Sequence, residues 1–156
     1  MAHRHATPRC IRGGLVPGTN EYHHNYTWEV QGDPMQAGPE FTVTQTLYET
    51  IRVIAIGGEL DMHSASHLQR ALLADAQNYP EVVANITDVS LVDSTGLSAF
   101  VIALRQLRRL GGDLSLVGLQ PQVREVFEIT GLNQVFAIYY DLKDAISASE
   151  AAARGV

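Results

Sequence analysis

Apolar and polar residues largely alternate over residues 41–47 and a β-branched run follows, and together they predict a β-hairpin. In residues 41–47 the odd positions are mostly apolar and the even positions are threonines, as expected of a strand with one buried face. After Tyr48-Glu49-Thr50, a β-branched run fills residues 51–56 and stops at Gly57-Gly58. Two such runs joined by a short connection are typical of antiparallel strands.

The remaining chain alternates between helical and strand periods. Ser64 is expected to cap a first helix that ends near Tyr79-Pro80. The following elements are a strand over 82–89, a helix from Asp93-Ser94 to Gly111-Gly112, a strand over 113–118, a helix from Pro121 to Gly131, a strand over 135–139 and a helix from Asp141. The order ββαβαβαβα predicts an α/β fold with a largely parallel sheet.

The first forty residues show no apolar periodicity and are rich in His, Arg, Gly, Pro and Asn. We predict a mostly flexible N-terminal extension over 1–40, one domain over 41–150 and a short tail over 151–156. The sequence leaves open whether the extension is a leader, a tag remnant or a natural segment.

Composition narrows the class of partner. The formal net charge is -6, which offers no electrostatic footprint for nucleic acid and little attraction to anionic lipid, so a protein partner is favoured. No apolar stretch is long enough to span a bilayer, and the N-terminus lacks the apolar core of a signal peptide. The single cysteine, Cys10, forms no internal disulfide, and we predict a cytoplasmic location.

The predicted topology brings three loops to one edge of the sheet, the edge at which open α/β sheets carry their sites. These loops hold Asp61-Met62-His63, Asp93-Ser94-Thr95-Gly96 and Gly118 to Pro121. Asp93 or Ser94 caps the central helix in one interpretation, and Ser94 is a modifiable hydroxyl in another. The two are compatible. A phosphate there adds about -1.5 to -2 charges, which the helix N-terminus tolerates.

Four segments, in this order, resemble the STAS domain, the family of bacterial anti-sigma factor antagonists. They are Gly58-Glu59-Leu60-Asp61, the run from Asp88 to Leu97, Gly111-Gly112-Asp113-Leu114, and the run from Phe127 to Leu132. The resemblance covers about 110 residues, from Phe41 to Glu150. It implies an open mixed sheet with helices packed mainly on one face.

The resemblance also implies a function. In phosphorylatable members, the serine after the aspartate of the central turn is phosphorylated by the anti-sigma factor, which is itself a serine kinase. That serine is Ser94 here. The unphosphorylated antagonist binds the anti-sigma factor and frees the sigma factor, phosphorylation blocks binding, and a serine phosphatase restores it. The expected docking residues are Asp61, His63, Asp93, Ser94, Thr95 and Gly96, and Thr95 stays open as a second acceptor.

Other functions are less well supported by the sequence. Ser94 lacks the first glycine of a hydrolase elbow and no histidine follows His67, so we predict no enzyme activity. Nothing in the pattern requires a cofactor, and His3, His5, His23 and His24 lack companion ligands for a metal. The alternative is a STAS module that is never phosphorylated and acts as a scaffold or as a sensor of a small ligand such as a nucleotide. Ser98 stands where the family often has glycine.

Overall fold

The computed structural model describes residues 9–10, 25–28 and 41–153. The strands in this part of the chain are β1 (Arg9–Cys10), β2 (Asn25–Trp28), β3 (Thr42–Tyr48), β4 (Ile51–Leu60), β5 (Glu81–Val92), β6 (Asp113–Val117) and β7 (Ala137–Tyr139). The helices are α1 (Ala65–Leu73), α2 (Ser94–Arg109), α3 (Pro121–Ile129) and α4 (Leu142–Ala153), and a 3-10 turn, Leu132–Gln134, precedes β7.

The seven strands form one open sheet in the order in which they follow along the chain. Neighbouring strands are antiparallel from β1 to β4 and parallel from β4 to β7. The hairpin of β3 and β4 turns at Glu49 and Thr50, where Glu49 adopts a φ of 51°. The predicted mixed α/β sheet and the order ββαβαβαβα are therefore confirmed over residues 41–153.

The two faces of the sheet are covered differently. Helices α1, α2 and α3 pack on one face, where Phe100, Phe127 and Phe136 contact one another edge to face. Helix α4 lies on the other face through Ala145, beside Leu142 and Ile146. Three helices on one face agree with the predicted layering. Helix α4 also continues to Ala153, past the expected domain end at residue 150.

Helix α1 ends at Leu73, earlier than the predicted end near Tyr79-Pro80. The fully buried guanidinium of Arg52 explains the difference. It donates to the carbonyl oxygens of Leu72 at 2.7 Å, Ala71 at 3.4 Å and Tyr79 at 2.9 Å. The arginine thus satisfies the last carbonyls of the helix and the turn beyond it, which would otherwise need another helical turn or water.

The segment predicted to be mostly flexible, residues 1–40, contributes β1 and β2 at the edge of the sheet beside β3. These six residues pair as strands at the sheet edge, and the predicted flexibility of the segment as a whole stays a prediction. The rest of that segment lies outside the described residues, as do residues 154–156 of the predicted tail.

Candidate functional site

The ends of β4 and β5 bring two of the predicted loops into contact. Both strands run beyond their predicted ends, and Leu60 pairs with Val92 as the last register position. The Asp93 N–H donates to the Leu60 carbonyl at 3.0 Å. Asp61 follows directly on β4, and Asp93 follows directly on β5 with Ser94 next to it, so these residues share one edge of the sheet. We call this surface, residues 59–64 and 91–98, the carboxyl rim.

Gly96 fixes the distance between the two loops. A Cβ atom on this buried residue would stand 2.6 Å from the Leu60 carbonyl oxygen and 3.0 Å from the Leu60 Cβ. The first turn of α2 therefore packs directly against the end of β4. Gly96 shapes the predicted site rather than contacting a partner, because it is buried and has no side chain.

Asp93 is the N-cap of α2. One carboxylate oxygen accepts hydrogen bonds from the Thr95 N–H at 2.9 Å, the Gly96 N–H at 3.0 Å and the Thr95 hydroxyl. The Thr95 hydroxyl, with the N–H groups of Gly96 and Thr95, holds the pKa of the Asp93 carboxyl below its usual value, although partial burial opposes this. Asp93 therefore carries a full negative charge at neutral pH.

The two hydroxyls of the central turn differ in their surroundings. Ser94 and Thr95 are both exposed. The Thr95 hydroxyl donates to Asp93, whereas the Ser94 hydroxyl makes no hydrogen bond to any residue that the structure describes. The Ser94 carbonyl accepts a bond from the Ser98 hydroxyl at 2.8 Å. The helix start is thus complete without the Ser94 side chain, whose hydroxyl faces solvent.

The turn that carries Asp61 and His63 is closed by Ser64. The buried Ser64 hydroxyl donates to the Glu59 carbonyl at 2.8 Å and accepts from the Asp61 N–H at 3.0 Å. The Asp61 carboxylate in turn accepts from the His63 N–H at 2.9 Å. Ser64 occupies the predicted N-cap position of α1, but its side chain makes no cap bond because the turn before the helix uses it.

The third predicted loop borders the rim without adding a charged group to it. The Gln120 amide donates to the Thr87 carbonyl at 2.8 Å, and the Gln122 amide donates to the Ser90 carbonyl at 3.2 Å. These side chains cover a stretch of β5 that extends beyond its pairing with β6, which ends at Asn85.

Two apolar residues of the rim were missed by sequence reasoning. Met62 is 72% exposed and Leu91 is 45% exposed. An available signal was that Met62 stands between an aspartate and a histidine in a turn, where no buried face requires an apolar residue. Leu91 gave less signal, because the end of β5 departs from simple alternation: Ser90 and Leu91 are exposed and Val89 and Val92 are buried.

The charged residues in the two stretches of chain that form and flank the rim are all acidic. Residues 57–69 and 84–104 contain Glu59, Asp61, Asp88 and Asp93 but neither lysine nor arginine. The arginines of the neighbouring helices, Arg70, Arg105, Arg108 and Arg109, lie near the C-terminal ends of α1 and α2, away from the rim. The site therefore offers a partner an acidic surface with exposed apolar residues.

Residues 42–145 match the family model described as the STAS domain. The chain belongs to the STAS domain family. Among its relatives, the anti-sigma-B factor antagonist of Bacillus subtilis is 35% identical over 85 residues, which are 54% of this chain and 78% of the relative. The anti-sigma-B factor antagonist of Staphylococcus aureus (strain NCTC 8325 / PS 47) is 31% identical over 105 residues, 67% of this chain and 94% of the relative.

Solved structures agree with this assignment. An anti-sigma factor antagonist from Mycobacterium paratuberculosis is 28% identical with a TM-score of 0.65, over 71% of this chain and 95% of that one. The anti-sigma factor antagonist SpoIIAA in its unphosphorylated form is 25% identical with a TM-score of 0.59, over 75% and 98% of the two chains. The family-model match over residues 42–145 includes both stretches of the rim.

Two other findings concern the described part of this STAS domain. None of its helices has both the length and the apolar character needed to cross a membrane. Its His, Cys, Asp and Glu side chains form no group of three suited to holding a metal ion. The four N-terminal histidines considered from the sequence lie outside the described residues.

Proposed function

We propose that this STAS domain is an anti-sigma factor antagonist that is switched by phosphorylation of Ser94. In this proposal the unphosphorylated protein binds an anti-sigma factor that is a serine kinase, and the sigma factor is released. Phosphorylated Ser94 blocks that binding, and a serine phosphatase restores it. The observation that carries the proposal is the exposed, unbonded hydroxyl of Ser94 at the start of α2, adjoining the end of β4 and the Asp61 turn.

The proposal assigns the phosphate to Ser94 rather than to Thr95. Modification of Thr95 would remove its hydroxyl hydrogen from the bond to Asp93 and place a phosphate beside that carboxylate. Modification of Ser94 breaks no hydrogen bond among the described residues, and the N-terminus of a helix favours added negative charge. Asp93 still caps α2 in the modified protein, so we expect the domain to stay folded.

The phosphate on Ser94 blocks binding because the partner would have to bury its charge. The rim already carries three carboxylates, those of Glu59, Asp61 and Asp93, and a phosphate adds about -1.5 to -2 charges. A partner that covers Ser94 in the unphosphorylated form would have to bury that charge without a counter-ion, which costs several kcal/mol. The partner's own surface is expected to be basic, so that Asp61 and Asp93 attract it before modification. His63 is exposed on the same turn and belongs to this docking surface.

The role is regulatory rather than catalytic, and it locates the protein in the cytoplasm, where sigma factors and ATP are found. Among the described residues no histidine forms a hydrogen bond with the Ser94 hydroxyl, so the structure gives this serine no paired general base. No cofactor enters the proposed mechanism.

The direct test uses the purified serine-kinase anti-sigma factors of the same organism. Each is mixed with this protein and ATP, and peptides are examined by mass spectrometry. Phosphate is expected on Ser94, and a Ser94→Ala protein should accept none and stay bound. The Ser98→Ala protein is a matched control, because Ser98 is an exposed serine one turn further along the same helix. Unmodified Ser94 with every such kinase, or phosphate on Thr95 alone, would contradict the proposal. Binding that ignores Ser94→Asp would favour a scaffold instead.

A further inference from the structure

We infer that the turn formed by residues 59–64 is a preformed recognition loop that inserts Met62 into an apolar pocket of the anti-sigma factor, a pocket bordered by basic side chains. The inference rests on the proposed function, since it names the contact by which the unphosphorylated protein holds its partner. It assigns Ser64 as the positioning residue of this loop.

The hydrogen bonds of the turn show that its shape is set before any partner arrives. The Ser64 hydroxyl links the Glu59 carbonyl to the Asp61 N–H, with distances of 2.8 and 3.0 Å. The Ala65 N–H donates to the Asp61 carbonyl at 2.9 Å, and the His63 N–H donates to the Asp61 carboxylate at 2.9 Å. Ser64 is only 5% exposed. A loop held in this way loses little conformational entropy on binding, which favours affinity.

Met62 is the apolar residue that this closed turn leaves in solvent. Single exposed apolar side chains are ordinary on protein surfaces, so its 72% exposure alone would carry no argument. Met62, however, lies in a short polar turn that hydrogen bonds hold closed, between Asp61 and His63, which are docking residues in the proposed function. Methionine is flexible and polarizable, and it fits pockets of irregular shape.

Charge identifies the surroundings of the pocket. Glu59 and Asp61 flank Met62 in the same turn, Asp93 is close in space through the Leu60 contact, and no lysine or arginine occurs in residues 57–69. A pocket for Met62 must therefore be bordered by positive or neutral groups, because acidic ones would be repelled. The same basic groups would receive the carboxylates of the rim.

Ile129 offers a matched control elsewhere on the molecule. It is 78% exposed, close to the value for Met62, but it ends α3, at the end of that helix remote from its start beside β5. Truncation of either side chain removes a similar exposed apolar surface. Only the truncation of Met62 should weaken docking.

The test is an affinity measurement by calorimetry with the purified serine-kinase anti-sigma factor, without ATP. Met62→Ala should raise Kd at least about tenfold, as expected for a central anchor residue, and Ile129→Ala should change it less than about twofold. Met62→Leu should recover most of the affinity, since it keeps an apolar side chain of similar size. Circular dichroism should show unchanged folding for all three variants.

The role of Ser64 has its own readout. Ser64→Ala should raise Kd and also speed amide hydrogen exchange at Asp61, His63 and Ala65, whereas Met62→Ala should raise Kd without changing that exchange. A Met62→Ala protein that binds within twofold of wild type while Ser94→Asp still abolishes binding would overturn this inference and leave the proposed function standing. Failure of the wild-type protein to bind any such anti-sigma factor would overturn both.

Discussion

Replacing Gly96 with alanine tests whether the start of α2 is held against the end of β4. The new Cβ atom would stand 2.6 Å from the Leu60 carbonyl oxygen, short of the 3.4 Å at which ordinary contact begins. Both obstacles nearest to it, the oxygen and the Cβ of Leu60, belong to the body of a buried strand residue and cannot swing aside. The helix start must therefore move away, and the bond from the Asp93 N–H to that oxygen lengthens.

The expected size follows from opposing terms. Forcing an extra carbon into a packed site costs about 1–3 kcal/mol. A weakened backbone hydrogen bond costs about 1 kcal/mol more. Alanine is the better helix former and returns about 1 kcal/mol. The net loss is about 1–3 kcal/mol, which for a domain of this size lowers Tm by roughly 4–15 °C.

Thermal unfolding followed by circular dichroism measures this loss. Ser98→Ala is the control, because it makes a change toward alanine on the same helix at an exposed position and should not lower Tm. Its lost bond to the Ser94 carbonyl is of a kind that adds little to helix stability. A Gly96→Ala protein as stable as wild type would refute the packing argument for how Ser94 and Asp61 are kept on one rim.

Two further predictions concern buried charge. Arg52→Met keeps an apolar stem but leaves the carbonyls of Leu72 and Tyr79 without their donors, so denaturant unfolding should show a loss of about 2–4 kcal/mol; an unchanged free energy of unfolding would contradict the capping role. Burial, with the nearby charge of Asp113, raises the pKa of Glu81 to about 7. The folded protein thus holds this proton more tightly than the unfolded chain, and stability should fall as pH rises from about 4.5 through 7. Glu81→Gln should remove this dependence of stability on pH, and it should be more stable than wild type at pH 8 by roughly 1–2 kcal/mol after allowance for solvent screening. Chemical denaturation at several pH values from 5 to 8 measures this, and the same change of stability with pH in both proteins would contradict the role of Glu81.

The fold was readable because its strands and helices differ in period. The hairpin of β3 and β4, the apolar stripe of α2 and the proline that opens α3 all belong to local pattern and gave the correct order. Boundaries were harder, because tertiary contacts decide them. Arg52 ends α1 early through carbonyls 19 to 27 residues away in sequence. The sequence places this residue in a strand but says nothing about which carbonyls it will meet.

The candidate site was predicted in part for the same reason. A cap at Asp93 or Ser94 and an exposed hydroxyl at Ser94 follow from a strand-to-helix turn, which is a local feature, and the structure assigns the cap to Asp93. The Ser94 and Thr95 hydroxyls could be distinguished only from the structure, which shows that Thr95 bonds to Asp93. The hydrogen bonds of the Ser64 hydroxyl to Glu59 and Asp61, which precede it in the chain, were not predictable, because a serine before a helix usually caps that helix. Met62 was overlooked because an apolar residue in a polar turn has no periodicity to mark it.

The central claim is that negative charge on Ser94 repels the partner while the domain stays folded. The most direct measurement compares the protein phosphorylated on Ser94 with the unphosphorylated protein, in both binding to the anti-sigma factor and free energy of unfolding. The account predicts that Kd rises at least about a hundredfold while the free energy of unfolding changes by less than about 1 kcal/mol. Equal affinity of the two forms, or weaker binding accompanied by unfolding of the domain, would contradict it.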